Sequence, residues 1–361
     1  MRLDAQLLGP SSAAAGLSPV QVVDRAVALQ GQDLGAVLRA IAIRCAPGTT
    51  LDDVRAAFTR GELVRSWPMR GTLFATTPSH LADLLSLTSA RVHRSTARRR
   101  HQLGLDDEAI ARALAVAVDA LAAAPLTRSG LLAAFEAAGL PTDAGRGYHL
   151  IFHLAVGGVV RWGPFTPDGR EQMIELAPVD AARAETGDPR DTDEVFADIA
   201  RGFVRARGPV TAADLAWWTG LPLTRARQAL EAAQGPASAS LGGMPAWVGE
   251  RALEGAETAA PADGPVAPAP VQVDLVPAFD EWLLGYADRS LVASPEAMAA
   301  VIPGGNGVFR PHLLVDGRVV GTWRAERTGR AAGRGQVQIL ESLPRRTLGL
   351  IDRAAAAWPH A

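Results

Sequence analysis

The chain has 361 residues, 48% of them hydrophobic, with 36 basic against 38 acidic side chains and a formal net charge of −2. That length suits two or more domains of about 100–200 residues each. All 36 basic residues are arginine, which excludes a Walker phosphate loop and a lysine Schiff base, since both need a lysine side chain. Cys45 is the only cysteine, so there is no intramolecular disulfide and no cysteine zinc site. No stretch approaches ~18 consecutive apolar residues and no charged-then-apolar leader opens the chain, so a cytoplasmic protein that does not associate with membranes is expected. With charge so near balance, any nucleic-acid surface must come from arginines gathered on one side.

Residues 1–104 read as helix, helix, helix, strand pair, helix. Ser18-Pro19 opens the first helix as N-cap and first turn. Its apolar run (Val20, Val22, Val23, Ala26, Val27, Leu29) leads into Gln30-Gly31-Gln32. Gly costs roughly 1 kcal/mol inside a helix, so this reads as a helix end carrying two carboxamides. Each carboxamide has a donor and an acceptor that can hold a water, a base or a sugar. Taken alone, Gln-x-Gln reads more simply as two solvated helix-end residues. Asp33 suits capping of the next helix, the run Val37 to Arg44, and Thr50 caps a third helix to about Thr59. Leu63 to Ser66 and Gly71 to Thr76 read as strands joined by Trp67-Pro68-Met69-Arg70. Pro78-Ser79 starts a long helix that turns basic: Arg91, His93, Arg94, Arg98, Arg99, Arg100, His101.

The same order recurs twice. In 105–190, helices at Ala109–Ala122, Gly130–Ala138 and Tyr148–Val156 precede strands at Val159–Trp162 and Met173–Leu176. In 191–253, helices at Asp193–Arg205, after Thr211, and at Leu223–Ala233 precede a weaker hairpin around Leu241 and Trp247. Three helices followed by a hairpin is the order of a winged helix, so the repeat is one of structure rather than of sequence. Residues 254–271, rich in Ala, Pro and Gly, read as a linker. In 272–361, Val271–Pro277, Val308–Leu314, Val319–Trp323 and Val337–Leu340 read as strands, with Asp316-Gly317 a strong hairpin signal and a closing helix from Leu343 to Ala357. The expected fold class is α+β: three tandem winged-helix motifs followed by a C-terminal β-barrel-like domain.

Four stretches carry a family resemblance: Gln30-Gly31-Gln32; Trp67 through Leu73 (WPMRGTL); Val276 through Tyr286 (VPAFDEWLLGY); and Asp316 through Arg324 (DGRVVGTWR). With them, nearly the whole chain resembles the AlkZ-like winged-helix DNA glycosylases, and Gln-x-Gln separates that branch from relatives carrying Gln-x-Asp. The resemblance implies that Gln30 and Gln32 are the catalytic pair. It also implies cleavage of the bond between base and sugar, mostly of bulky N7-alkylated purines in double-stranded DNA, including toxin adducts and interstrand crosslinks. One position departs: where the family usually has His after the Thr-Leu of the first wing, this chain has Phe74.

The residue types suit that chemistry. An N7-alkylguanine is cationic and leaves as a neutral base, so no strong general acid is required. Neutral glutamines can orient water and present an amide oxygen to developing positive charge, though neither is a base in the manner of a glycosidase carboxylate. With no lysine side chain, a monofunctional enzyme that leaves an abasic site is expected; a monomer without cofactor or metal is expected as well. Bulky adducts favour an open cleft over a small flipping pocket.

The expected DNA contacts are Arg70, Arg94, Arg98 and Arg99, and Arg324, Arg327, Arg330 and Arg334 in a Gly-rich segment suited to a groove. The basic helix reads equally as a solvated face. Arg161, Trp162 and Phe165 on the second wing are further candidates. His149 and His153 lie four apart, but lack the metalloprotease glutamate and a third ligand. Trp217-Trp218 reads as core between repeats, and Gly304 to Gly307 as a turn. The rival reading is a non-catalytic winged-helix DNA-binding protein or transcription regulator, because winged helices commonly bind DNA without chemistry.

Overall fold

The structure, a computed structural model, describes residues 1–9, 16–178, 191–249, 270–325 and 335–358. A short helix α1 (Arg2–Ala5) precedes α2 (Pro19–Ala26), where Ser18 and Gln21 close a capping box. The helix does not reach Gln30. Val27 turns to φ 66° and the chain continues as strand β1 (Ala28–Gln30), all three residues buried. A short, fully buried apolar run has no polar beat to distinguish strand from helix, which is why the sequence reads as one long helix there. Asp33 then caps α3 (Leu34–Ala42), accepting the Ala36 N–H at 2.7 Å. A Thr50–Asp53 capping box opens α4 (Leu51–Thr59).

Strands β2 (Val64–Met69) and β3 (Thr72–Thr76) meet at a two-residue turn, with Met69 opposite Thr72. Arg70 and Gly71 both have positive φ, 52° and 71°, the backbone that matches strand twist in a tight hairpin. Trp67, Pro68 and Met69 therefore lie in the strand and not in the connection. The register slips between Ser66 and Met69, and such a bulge accommodates a proline that cannot donate to the ladder.

Helix α5 (Pro78–Gln102) leads to α6 (Asp107–Leu121), α7 (Arg128–Ala137), α8 (Arg146–Val156) and the hairpin β4 (Val160–Phe165) and β5 (Gln172–Leu176). The two hairpins join. Arg65 pairs with Trp162, giving one antiparallel sheet in the order β1-β3-β2-β4-β5. Most of β4 is buried at this junction. Arg161 pairs with Glu175, Phe165 packs edge-on against Phe58, and Arg161, Trp162 and Phe165 are all buried, so none is the free wing contact expected from the sequence. Trp67 packs edge-on against Trp162, Phe152 and Tyr148, welding the first hairpin to α8.

Next come α9 (Thr192–Arg207), α10 (Ala212–Thr219), α11 (Leu223–Ala232) and a separate hairpin, β6 (Ala237–Leu241) with β7 (Met244–Val248). The adjacent tryptophans of α10 part company. Trp218 is fully buried with Phe203 and Phe74, whereas Trp217 is 42% exposed. The expected linker falls almost wholly outside the described residues.

The last part has β8 (Val273–Val276), α12 (Glu281–Leu284), α13 (Pro295–Val301), β9 (His312–Val315), β10 (Arg318–Ala325), β11 (Gly335–Ile339) and α14 (Arg345–Ala356). Asp316 and Gly317 make the β9–β10 turn with φ 49° and 78°. Among the described residues the strands form an open sheet, β11-β10-β9-β8, with α14 against β8 and β11, and not the closed barrel expected. No described helix is long and apolar enough to cross a membrane.

Between α5 and α8 the rings of His93 and His153 lie 4.2 Å apart. Burial, then the neighbouring His93 and Arg100, push His153 down to about 4, against a weaker upward pull from Asp107. A histidine held neutral in the fold and titrating near 6.5 when unfolded contributes stability that is complete above pH ~6.5 and lost as pH falls towards ~4. Urea midpoints should fall across that window, and His153→Gln should flatten the fall.

Candidate active site

The site is built on the end of β1. Gln30 pairs with Phe74 of β3, and the following Gly31 donates its N–H to the Leu73 carbonyl at 2.7 Å. A Cβ on Gly31 would stand 3.0 Å from the Ala75 nitrogen and 3.1 Å from the Phe74 carbonyl carbon, so the close approach of the two strands requires glycine between the glutamines. Arg65 donates to the Gly31 carbonyl at 3.0 Å, and burial pushes its guanidinium down to about 10.

Three segments distant in sequence fix β1 from behind. Arg207, the last residue of α9, donates to the carbonyls of Ala26 and Ala28 at 2.9 and 2.8 Å. It also makes two bonds to Oε2 of Glu281, at 3.0 and 2.8 Å. The same oxygen accepts the Trp218 indole N–H at 3.0 Å. The other oxygen of Glu281 accepts the backbone N–H of Gln30 at 3.0 Å. Asp280, the N-cap of α12, holds Arg44 through two bonds at 2.8 and 2.9 Å, and Arg44 also donates to the Gln6 backbone carbonyl. Tyr286 donates to the Arg207 carbonyl at 2.8 Å. The VPAFDEWLLGY stretch is thus the clamp on β1. Its Asp-Glu pair inside an apolar run is the sequence signal of buried ion pairs; nothing in the sequence marks Arg207 as their partner.

Beside this framework the side-chain oxygen of Gln30 is left out. Gln30 is 7% exposed, and its Oε1 is buried with no hydrogen-bond partner among the described residues. Gln32 is exposed, with its own Oε1 3.4 Å from the Leu73 nitrogen. The two glutamines flank one turn of backbone, one sunk and one at the surface. Phe74 is fully buried against Trp218, so this position, where the resemblance leads to an expectation of His, supplies packing and no polar group.

Of the expected DNA contacts, only Arg70 belongs to this site. It is half-buried at the β2–β3 turn, its guanidinium carbon 5.7 Å from the Phe74 ring centre and 5.3 Å from that of Trp217. Burial lowers its pKa, and Glu281 opposes the shift. Arg94, Arg98 and Arg99 are exposed on α5, and Arg324 is exposed on β10 with Gln336 at 2.8 Å. No contact among the described residues links these four to Gln30 or Gln32. Arg327, Arg330 and Arg334 lie outside the described residues.

Removing the charge from Glu281 would leave Arg207 buried and uncompensated, a change that costs about 3–5 kcal/mol. In denaturant titrations Glu281→Gln should lower the unfolding free energy by that much, while Gln32→Ala at the surface should stay within about 0.5 kcal/mol of the unaltered chain.

Streptomyces sahachiroi DNA glycosylase AlkZ is similar in fold, with a TM-score of 0.75 at 23% identity, over 99% of this chain and 94% of that one. No curated protein matched the sequence. The family described as DNA glycosylase AlkZ-like matches residues 23–359. The chain belongs to the AlkZ-like DNA glycosylase family.

Proposed function

We propose that this DNA glycosylase hydrolyses the N-glycosidic bond of bulky N7-alkylated purines in duplex DNA, acting as a monomer with Gln30 and Gln32 as its catalytic pair. The observation that carries the reading is the buried, unpartnered Oε1 of Gln30 beside an exposed Gln32. A buried acceptor left without a donor costs about 1–3 kcal/mol. Such a cost is commonly retained where the atom has work to do on a ligand.

In the reaction the C1′–N9 electrons pass to the base, neutralising the positive ring, and the deoxyribose becomes oxocarbenium-like. An amide oxygen in a dry, low-dielectric place is attracted to that charge. Gln32, reachable from solvent, orients the water that bonds to C1′, and the water's proton passes to bulk solvent. Because Gln32 is exposed, the pair is not sealed in a base-sized pocket, which supports acceptance of adducts and crosslinks too large to flip inward. Two cavities lie nearby, one among Gln6, Val22, Leu29, Arg44 and Arg207 and the other among Asp24, His80, Asp83 and Asp198, and neither has Gln30 or Gln32 in its wall.

The same reading takes residues 1–104, 105–190 and 191–253 as three tandem winged helices and 272–361 as the C-terminal β-domain, joined by 254–271. The repeated order of three helices and a hairpin supports it, as α2–α4 with β2–β3, α6–α8 with β4–β5, and α9–α11 with β6–β7.

Incubation with an N7-alkylated duplex, then hot alkali, should give strand breaks at the alkylated purine. Gln30→Leu should cut the excision rate by about 10²-fold, yet unfold at the same or a higher denaturant concentration, since an unpaired buried acceptor has been removed. Breaks that persist unchanged in Gln30→Ala plus Gln32→Ala would defeat the assignment. On abasic duplex without alkali, no strand cleavage and no borohydride-trapped adduct should form, because no lysine side chain is present to make the imine.

A further inference from the structure

Two arginines meet at one exposed tryptophan on the rim of the Gln30 site. Trp217 is 42% exposed on a protein whose other α10 tryptophan is fully buried. Its indole N–H donates to the Leu284 carbonyl at 3.3 Å, which fixes the ring. The guanidinium carbons of Arg70 and Arg289 stand 5.3 and 5.2 Å from its ring centre. Arg289 is itself anchored by Nε, which donates to the Leu283 carbonyl at 2.7 Å. The Arg70 stem passes close to Gly220, where a Cβ would stand 3.0 Å from its Cγ.

Neither cation, among the described residues, has a counter-ion of its own. Among the described residues Arg70 and Arg289 form no ion pair, and each keeps one buried nitrogen, Nε of Arg70 and a terminal nitrogen of Arg289, without a partner. The nearest carboxylate acting on Arg70, Glu281, is already bonded to Arg207, Trp218 and the Gln30 N–H. Two half-buried like charges held together and under-bonded are unfavourable unless an anion joins them. Both are tied to the site: Arg70 stacks over Phe74, the cross-strand partner of Gln30, and Trp217 sits next to Trp218 on α10.

We propose that Arg70, Trp217 and Arg289 form a strand grip beside Gln30, the two guanidinium groups taking DNA phosphates next to the damaged nucleotide and the indole stacking against the adjacent one. The grip rests on the glycosylase reading for its purpose, and it sets where along the strand the sugar lies relative to the glutamines. Arginine suits the task because its planar fork bonds phosphate oxygens in pairs while stacking on an aromatic face. The mutual repulsion of the two cations is relieved when phosphate enters, so the free site is poised for an anion.

The test uses the full chain and an undamaged, end-labelled duplex, with anisotropy titrations over a salt series. Arg70→Gln with Arg289→Gln should lessen the slope of log K against log salt by about 1 to 2, the loss of one or two phosphate contacts. Trp217→Ala should weaken binding roughly tenfold at fixed salt, and Trp217→Phe should recover most of it, since stacking needs a ring and not an indole. Melting temperatures separate these losses from unfolding. Should the double arginine variant fail to fold, Trp217→Ala against Trp217→Phe decides alone, because an exposed ring can be removed without opening the core. Unaltered slope and affinity would overturn the grip. Excision of an N7-alkylated base by the unaltered chain is scored separately: excision without any binding defect in the variants sinks the grip and spares the glycosylase reading, and a binding defect without excision does the reverse.

Discussion

The position of Gln30 depends on a single buried carboxylate. Glu281 accepts the backbone N–H of Gln30 with one oxygen and the Arg207 guanidinium and Trp218 indole with the other. Four donors share two oxygens in a dry place, so the charge is compensated both by ion pairing and by hydrogen bonding, which is the condition under which a buried carboxylate is tolerated. Arg207 extends the arrangement to the carbonyls of Ala26 and Ala28. A three-residue edge strand has little reason to hold its place by ladder bonds alone. Here it is held from behind by side chains that arrive from α9, α10 and α12.

That framework explains why one orphaned oxygen stands out. The Glu281 and Arg207 groups that hold the backbone of β1 are bonded, whereas the Gln30 Oε1 has no partner among the described residues. Phe74, opposite Gln30 in the sheet, packs edge-on against Trp218, and a buried amide dipole is little screened. Phe74, the cross-strand partner of Gln30, supplies packing and no polar group.

Local chemistry was legible and long-range chemistry was not. Ser18, Asp33, Thr50 and Thr211 cap the helices they precede, because an N-cap is a bond between near neighbours. Asp316-Gly317 makes its turn for the same reason. Strand β1 escaped because its partner, β3, lies more than forty residues on, and its all-apolar lead-in carries no period. Pro68 pointed to a turn because the bulge that admits it is set by the neighbouring strands. Trp217 and Trp218 are indistinguishable in sequence, and only the helix's rotation decides which one meets the core. The proposed pair, Gln30 and Gln32, was marked by a motif, while Glu281 and Arg207, which fix the backbone of Gln30, are recognisable as partners only once the chain is folded.

The pairing of Arg65 with Trp162 makes the first and second hairpins one continuous sheet, and the Trp67 cluster cements the seam. Hydrogen-bonded strands do not pivot about one another as domains on a linker do. The angle between these two parts is therefore built in, and a surface spanning them has one curvature. A long, stiff polymer laid across such a surface must adapt to it, so shape adjustment falls on the ligand, and sequences or lesions that already yield at the contact have the advantage.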